Sequence, residues 1–355
     1  MAKLHIFNPE HDIALASNLS NFTAPHAGRQ LRADLGFLPA LWAEEGDVIM
    51  VENVEYAVKT WERLRKRFVP WGGTLCSMGW NTLFHGVEHF VPWGGTNSIS
   101  VWGWDKAVRR ELERAGAPLS LLPSDSQLER IRTLSHRQTA AQLLSHLRIN
   151  GTVGEAVLCE SLEAVERQLG LHSRLVLKAP WSSSGRGIRF IDGELNDYHR
   201  GWLRNLLSKQ GGVMAEPYYE KVKDFGMEFE STESGIRYLG LSLFHTSNGA
   251  YTGNVLATEN AKREMISRYI PVSLLDEVKE KICGMSLLNG YVGPFGIDMM
   301  IVRHHTQLLL HPCVEINLRR TMGHVALHLS PSDDDIRMVM RIDYEDKYKL
   351  RIRKL

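Results

Sequence analysis

The sequence predicts a mixed chain: an open, partly parallel α/β unit followed by a further region of helices and strands. Three observations carry this. At 355 residues the chain is too long for one ordinary core, and compact units of roughly 100–150 residues are expected. Its first part has a strand, helix, strand rhythm, which favours a parallel sheet. Its later part has two apolar runs, FGIDMMIV and HPCVEINL, joined by a polar turn as in a hairpin.

In the first unit, residues 1–130, LHIF (Leu4 to Phe7) reads as a strand and NPEHD as a polar turn. A helical pattern runs from Ala27 to Trp42 behind Pro25, and DVIMVE, Asp47 to Glu52, is the next buried strand. RFVPWGGT at Arg67 to Thr74 returns as HFVPWGGT at His89 to Thr96. Two copies are too few for a solenoid, so they read as duplicated turns, or as turns of which one tryptophan lines a pocket. Trp102 to Pro118 is an amphipathic helix, and LLPSD is a strand and turn. The unit ends between Pro123 and Arg132, where turn residues break the apolar period.

The second part, residues 131–213, opens with a helix from Ser135 to Leu147 that carries Arg137 in its first turn. EAVLCES is a strand, SLEAVERQLG a helix capped by Gly170, RLVLKAP a second strand and IRFI its return. The third part, residues 214–330, holds strands near Gly212 to Glu216, Met227 to Ser231 and RYLGLSLFHT, a long helix from Ser273 to Gly290, and the apolar hairpin. Residues 331–355 form an extension ending in YKLRIRKL, a charged edge strand.

Composition narrows the function classes. Forty-two basic against 41 acidic residues leave a formal charge of +1, too little to steer the chain onto nucleic acid or an anionic membrane. Cys76, Cys159, Cys283 and Cys313 are scattered, with no CxxC pair, which suits a reduced cytoplasmic protein. The amino terminus has no signal-peptide pattern, and no window nears the roughly 20 apolar residues of a membrane span.

The chemistry begins with KAPWSSSGRG, Lys178 to Gly187. A P-loop places its lysine after the glycines with a helix next, and a dinucleotide fingerprint needs G-x-G-x-x-G. Here the lysine precedes the loop and a strand follows. What remains is either a Ser-rich surface hairpin or a flap that closes backbone amides over phosphate beside a fixed cation.

A second constellation lies in the hairpin. Glu315 and Asn317, two apart in VEIN, share one strand face, and pairing with GIDMMIV brings in Asp298. Three oxygen donors of this kind suit Mg²⁺ beside a phosphate. The plain alternative is a structural salt bridge to Arg319 or Arg320. Arg319, two beyond Asn317, is also placed to hold negative charge developing on phosphate or an acyl intermediate.

Arg137 in an opening helix, V-x-K before a Ser/Gly loop, the acidic AEPYY (Ala215 to Tyr219), and Asp298 followed by E-I-N-x-R together resemble the ATP-grasp superfamily. The resemblance spans Ser135 to Ser330, and the first unit is similar to the Rossmann-like domain that often precedes it. It implies two α+β subdomains, residues 131–213 and 214–330, that clamp ATP between them, with Lys178 and Arg137 on phosphates. Ser183, Ser184, Gly185, Arg186 and Gly187 would be the closing loop. Glu216, Pro217, Tyr218 and Tyr219 would be the hinge, its backbone reading adenine, with Glu216 and Asp224 at the sugar or adenine edge. Asp298, Glu315 and Asn317 would hold Mg²⁺ (or Mn²⁺), with Lys178 and Arg319 catalytic. The family usually has lysine where Arg137 stands and a loop richer in glycine.

Most members activate a carboxylate as an acyl-phosphate that an amine or thiol then attacks, which implies small-molecule or peptide carboxylate and amine substrates. A small-molecule kinase of the same fold and a non-catalytic ATP-binding module are the alternatives. For a substrate site, Asn8, Glu10 and His11 lie at a strand's carboxyl end, with turn and capping roles, or a metal site, as the alternatives. His245 and Asn254 flank an Asn-Gly turn between hinge and hairpin, and His324 faces either the acyl site or a structural hydrogen bond.

Overall fold

The computed structural model describes residues 2–68, 84–86, 93–182, 187–247 and 250–355. Ser183, Ser184, Gly185 and Arg186 lie outside these residues, as does the first VPWGGT copy. Of the second copy, Trp93 to Thr96 is described. Trp93–Gly95 is a single 3-10 turn, and the Trp93 indole N–H donates to the Ala115 carbonyl at 2.8 Å, pinning the turn to the next helix.

The first part runs β1 (Ala2–Ile6), α1 (His11–Ser17), α2 (His26–Leu35), β2 (Val48–Val51), α3 (Val54–Phe68), β3 (Phe84–Gly86), β4 (Thr96–Val101) and α4 (Lys106–Arg114). Its strands form one parallel sheet in the order β3-β2-β1-β4. Leu4, Ile6, Ile49 and Val51 are almost wholly buried in it, as expected of a sheet covered on both faces. The Asp105 carboxylate caps α4 by accepting from the Ala107 and Val108 N–H groups.

α5 (Asp125–Leu134) and α6 (Arg137–His146) lead into β5 (Val157–Cys159), α7 (Leu162–Leu171), β6 (Arg174–Lys178), β7 (Ile188–Asp192), α8 (Asp197–Gln210) and β8 (Val213–Pro217). These four strands make an antiparallel sheet, β5-β8-β6-β7, and β6 and β7 pair on either side of the loop as the sequence predicts.

The rest runs β9 (Glu220–Thr232), β10 (Gly235–Ser242), β11 (Phe244–Ser247), β12 (Ala250–Leu256), α9 (Glu259–Ser267), α10 (Val272–Cys283), β13 (Gly293–His304), β14 (Gln307–Asn317), α11 (Met322–Leu329), β15 (Met338–Tyr344) and β16 (Tyr348–Lys354). Strands β10-β9-β13-β14 form the sheet on which the candidate site is built. One of its faces supplies Phe225, Met227, Phe229, Phe295, Ile297, Met299 and Ile301 to the largest core cluster, each burial contributing about 1.5–3 kcal/mol. A fourth sheet, β11-β12-β15-β16, joins residues 338–354 to strands nearly a hundred residues earlier. YKLRIRKL is its edge strand.

Several boundaries differ from the sequence reading. Gly36 and Pro39 end the helix expected to reach Trp42, leaving only a short 3-10 turn at Leu38–Leu41, since proline lacks the N–H a helix needs. LLPSD is not a strand: Leu119–Leu121 is a 3-10 turn with Leu119 73% exposed, and Ser124 opens α5 in a reciprocal capping box with Gln127. Gly170 lies inside α7, which ends at His172. The helix expected to run to Gly290 stops at Gly284. Among the described residues, Cys159, Cys283 and Cys313 are free, and no helix is long and apolar enough to cross a membrane.

Candidate functional site

The hairpin brings the three oxygen donors together. Asp298 pairs in register with Glu315, and Gly296 with Asn317, so the side chains at 298, 315 and 317 leave one face of the sheet. The Asn317 amide Nδ2 donates to Asp298 Oδ2 at 3.1 Å. Burial, then the nearby Glu315 and Glu228 carboxylates, push the Asp298 pKa up to about 8. Among the described residues no group of three or more His, Cys, Asp or Glu forms a metal cage, so the donor set is two carboxylates and an amide. Crowded carboxylates with no cation bonded to Asp298 among the described residues fit a hard divalent ion, which would relieve their repulsion.

Two cations approach this face from the preceding part. Lys178, at the end of β6, is 6% exposed and pairs with Glu216 Oε2 at 2.6 Å. Arg137, the first residue of α6, donates from Nη2 to Glu315 Oε1 at 2.7 Å and from Nη1 to Ser182 Oγ at 2.8 Å and the Ala179 carbonyl at 2.5 Å. One guanidinium thus joins the start of the loop to a candidate metal ligand. Cys313, buried on β14, lies within electrostatic reach of Asp298, Glu216, Lys178 and Glu315; burial first, then these carboxylates, raise its pKa.

Gly187 closes the loop: its carbonyl accepts from Ala179 N at 2.8 Å, and a Cβ there would lie 2.5 Å from Ser182. In the segment expected to form the hinge, Glu216 is committed to Lys178, and Pro217 ends β8. Tyr218 is clasped between the Arg174 guanidinium at 3.8 Å and Phe190. Tyr219 packs edge-on against His311, and burial, with Glu155 and Glu216 nearby, pushes its pKa up to about 12. Asp224, on β9, accepts from Lys221 and Thr246, each at 2.6 Å.

Arg319 follows the end of β14 and is fixed from the first unit. Its Nε and Nη2 donate to the two Asp12 oxygens, both at 2.7 Å, and Nη2 also donates to Asn317 Oδ1 at 3.0 Å. Burial opposes the Arg319 charge, but Asp12 more than offsets it and holds the pKa above its ordinary value. The structural-bridge alternative named other pairs: Arg319 bridges to Asp12, and Glu315 pairs with Arg137, not with Arg319 or Arg320.

The expected substrate residues have other partners. Asn8 ties the ends of β1 and β4, accepting from Trp102 N and donating to the Gly103 carbonyl at 2.8 Å, and His11 meets Asp105 at 3.2 Å; both are 1% exposed. Glu10 pairs with Arg32 at 3.0 Å. Asn254 is buried between Ser242 and Tyr251, whereas His245 is exposed on β11, where burial, then Lys223 and Arg341, lower its pKa. His324 has the structural role: it completes the capping box of α11 with Thr321.

Four residues near the site escaped the sequence reading. Asp12 and Ser182 stand in the marked stretches NPEHD and KAPWSSSGRG, but nothing singled them out until their partners were placed. Glu228 is a buried carboxylate inside an apolar strand, 3.0 Å from His324 and close enough to raise Asp298, and the burial rule for charges would have found it. His311 is 1% exposed with neither ring nitrogen hydrogen-bonded among the described residues, and burial, then Lys178, push its pKa down to about 3.

No family model matches the chain. It is 25% identical over 219 residues to the butirosin acyl-carrier protein–L-glutamate ligase of Niallia circulans, a stretch covering 59% of this chain and 48% of that protein. The chain thus spans about half the length of that curated relative. Among solved structures it is similar to N5-carboxyaminoimidazole synthetase from Staphylococcus aureus complexed with ADP, with a TM-score of 0.50 and 12% identity over 96% of this chain and 82% of that one. An ATP-grasp superfamily protein from Archaeoglobus fulgidus matches over the full length of both chains at 15% identity and a TM-score of 0.48. The chain shares the fold of the Staphylococcus aureus synthetase.

Proposed function

We propose that the chain is an ATP-dependent ligase that activates a carboxylate as an acyl-phosphate for attack by an amine or a thiol. The observation that carries this reading is the hairpin register that brings Asp298, Glu315 and Asn317 to one sheet face, with Arg137 from the preceding part paired to Glu315 at 2.7 Å. Relatives named as an acyl-carrier protein–L-glutamate ligase and an N5-carboxyaminoimidazole synthetase support it.

In this reading Lys178 exchanges Glu216 for phosphate oxygens, and Arg137 steadies the loop that closes over them. Magnesium, held by Asp298, Glu315 and Asn317, would neutralise phosphate charge. The substrate carboxylate oxygen attacks the γ-phosphorus and ADP leaves. The amine or thiol then attacks the acyl carbon, phosphate leaves, and the nucleophile loses its proton. Arg319, held by Asp12, stays aimed at this centre and stabilises the developing charge. Positioning and charge carry most of such a transfer, so no covalent protein nucleophile is needed.

Incubation with ATP, candidate acids and hydroxylamine tests this. A hydroxamate formed with one ADP released per turnover is the expected result. Phosphate on a substrate hydroxyl would instead make the chain a kinase of this fold, and ATP bound but never consumed would make it a binding module.

A further inference from the structure

Two clefts lie on different sides of α1. His11, Asp12 and Leu15 line a small cleft that reaches Glu315 and Asn317. Glu10 and Ala14, one turn apart on another side of the helix, line a separate cavity of about 380 Å³. This second cavity lies beyond the carboxyl ends of β1, β2 and β4, where Asn8, Glu52 and Asp105 face it. Crevices at that edge of a parallel sheet are where such sheets bind ligands, and the volume suits a small molecule.

Much of the polar lining is already used. Arg32 is shared between Glu10 Oε1 and Glu111, and Asp105 serves Asn8, His11 and the start of α4. What is left has two signs. Glu10 Oε2 is buried and accepts no hydrogen bond from the described residues, an arrangement that calls for a donor. Arg29 and Arg114 are exposed in the lining and have no carboxylate partner among the described residues; Arg29 donates only to the Ala24 carbonyl. A plain anion would be repelled by Glu10, and a plain cation by the arginines.

We propose that this cavity binds a small zwitterion of the α-amino acid class, its ammonium donating to Glu10 Oε2 and its carboxylate taken by Arg29 and Arg114. The site is separate from the nucleotide chemistry proposed above, so the inference stands whether or not the chain is a ligase.

Calorimetric titration of the full chain with the free α-amino acids, each matched to its 2-oxo acid and its decarboxylated amine, and with inorganic phosphate, tests it. At least one amino acid should bind, with its oxo acid and amine at least about tenfold weaker. Glu10→Gln and Arg29→Ala should each weaken binding about tenfold or more, and Asp298→Asn should leave it unchanged. Arg29 is on the surface, so that variant is informative even if Glu10→Gln unfolds. Absence of binding by every amino acid, binding that survives both variants, loss of binding in Asp298→Asn, or phosphate or an oxo acid binding as tightly would each overturn the proposal.

Discussion

Asp12 and Arg319 stand 307 residues apart and form a two-armed ion pair, 2.7 Å in each arm, that joins the first helix of the chain to the end of the strand carrying Glu315 and Asn317. Asp12→Ala should leave Arg319 charged and half-buried without its anion. A stability loss of about 1–3 kcal/mol is expected in urea denaturation, less than for a fully buried pair because both side chains retain some exposure. A fall below about 0.3 kcal/mol would show that the pair contributes nothing net.

Lys178 and Glu216 are both buried, so removing one leaves the other uncompensated. Lys178→Met should cost about 3–5 kcal/mol, and the double variant Lys178→Met/Glu216→Gln should recover much of that. ATP affinity, measured by calorimetry, should stay low in both. Recovered ATP binding in the double variant would remove Lys178 from the phosphate site.

Asn317→Ala and Asp298→Asn should separate metal use from nucleotide affinity. Asp298→Asn removes one of two carboxylates and should raise the magnesium concentration for half-maximal ATP turnover at least about tenfold. Asn317→Ala should chiefly lower kcat, with ATP affinity changed less than in Lys178→Ala. Equal losses of ATP affinity in Asn317→Ala and Lys178→Ala would contradict the assignment.

Lys262 is buried with its ammonium on the Leu241 carbonyl at 3.0 Å, and burial, opposed by Glu259 and Glu228, pushes its pKa down to about 8 from 10.5. Between those values the unfolded chain binds more protons than the folded one, so stability should rise with pH across the window. Below about 8 the whole penalty applies. The rise should amount to about 2–4 kcal/mol, and Lys262→Met should abolish it in denaturation curves taken at pH 7.5 and 10. The same slope in the variant would place the titration elsewhere.

Period-two alternation in VEIN was enough to put Glu315 and Asn317 on one face, and the polar turn at His304 to Gln307 was enough to pair that strand with the one bearing Asp298. The β6–β7 hairpin around the loop was legible for the same reason: pleat and turn chemistry are local. Partner choice was not. Arg137 selects Glu315, Lys178 selects Glu216 and Arg319 selects Asp12 only once helices and strands from distant parts of the chain are packed together. The union of β12 with β15 was hidden for the same reason, as was the cavity between α1 and α4. Order along the chain determined which side chains each element offers to a face. The tertiary structure decided which faces meet, because ion pairing and burial act through space and carry no periodic mark in the sequence.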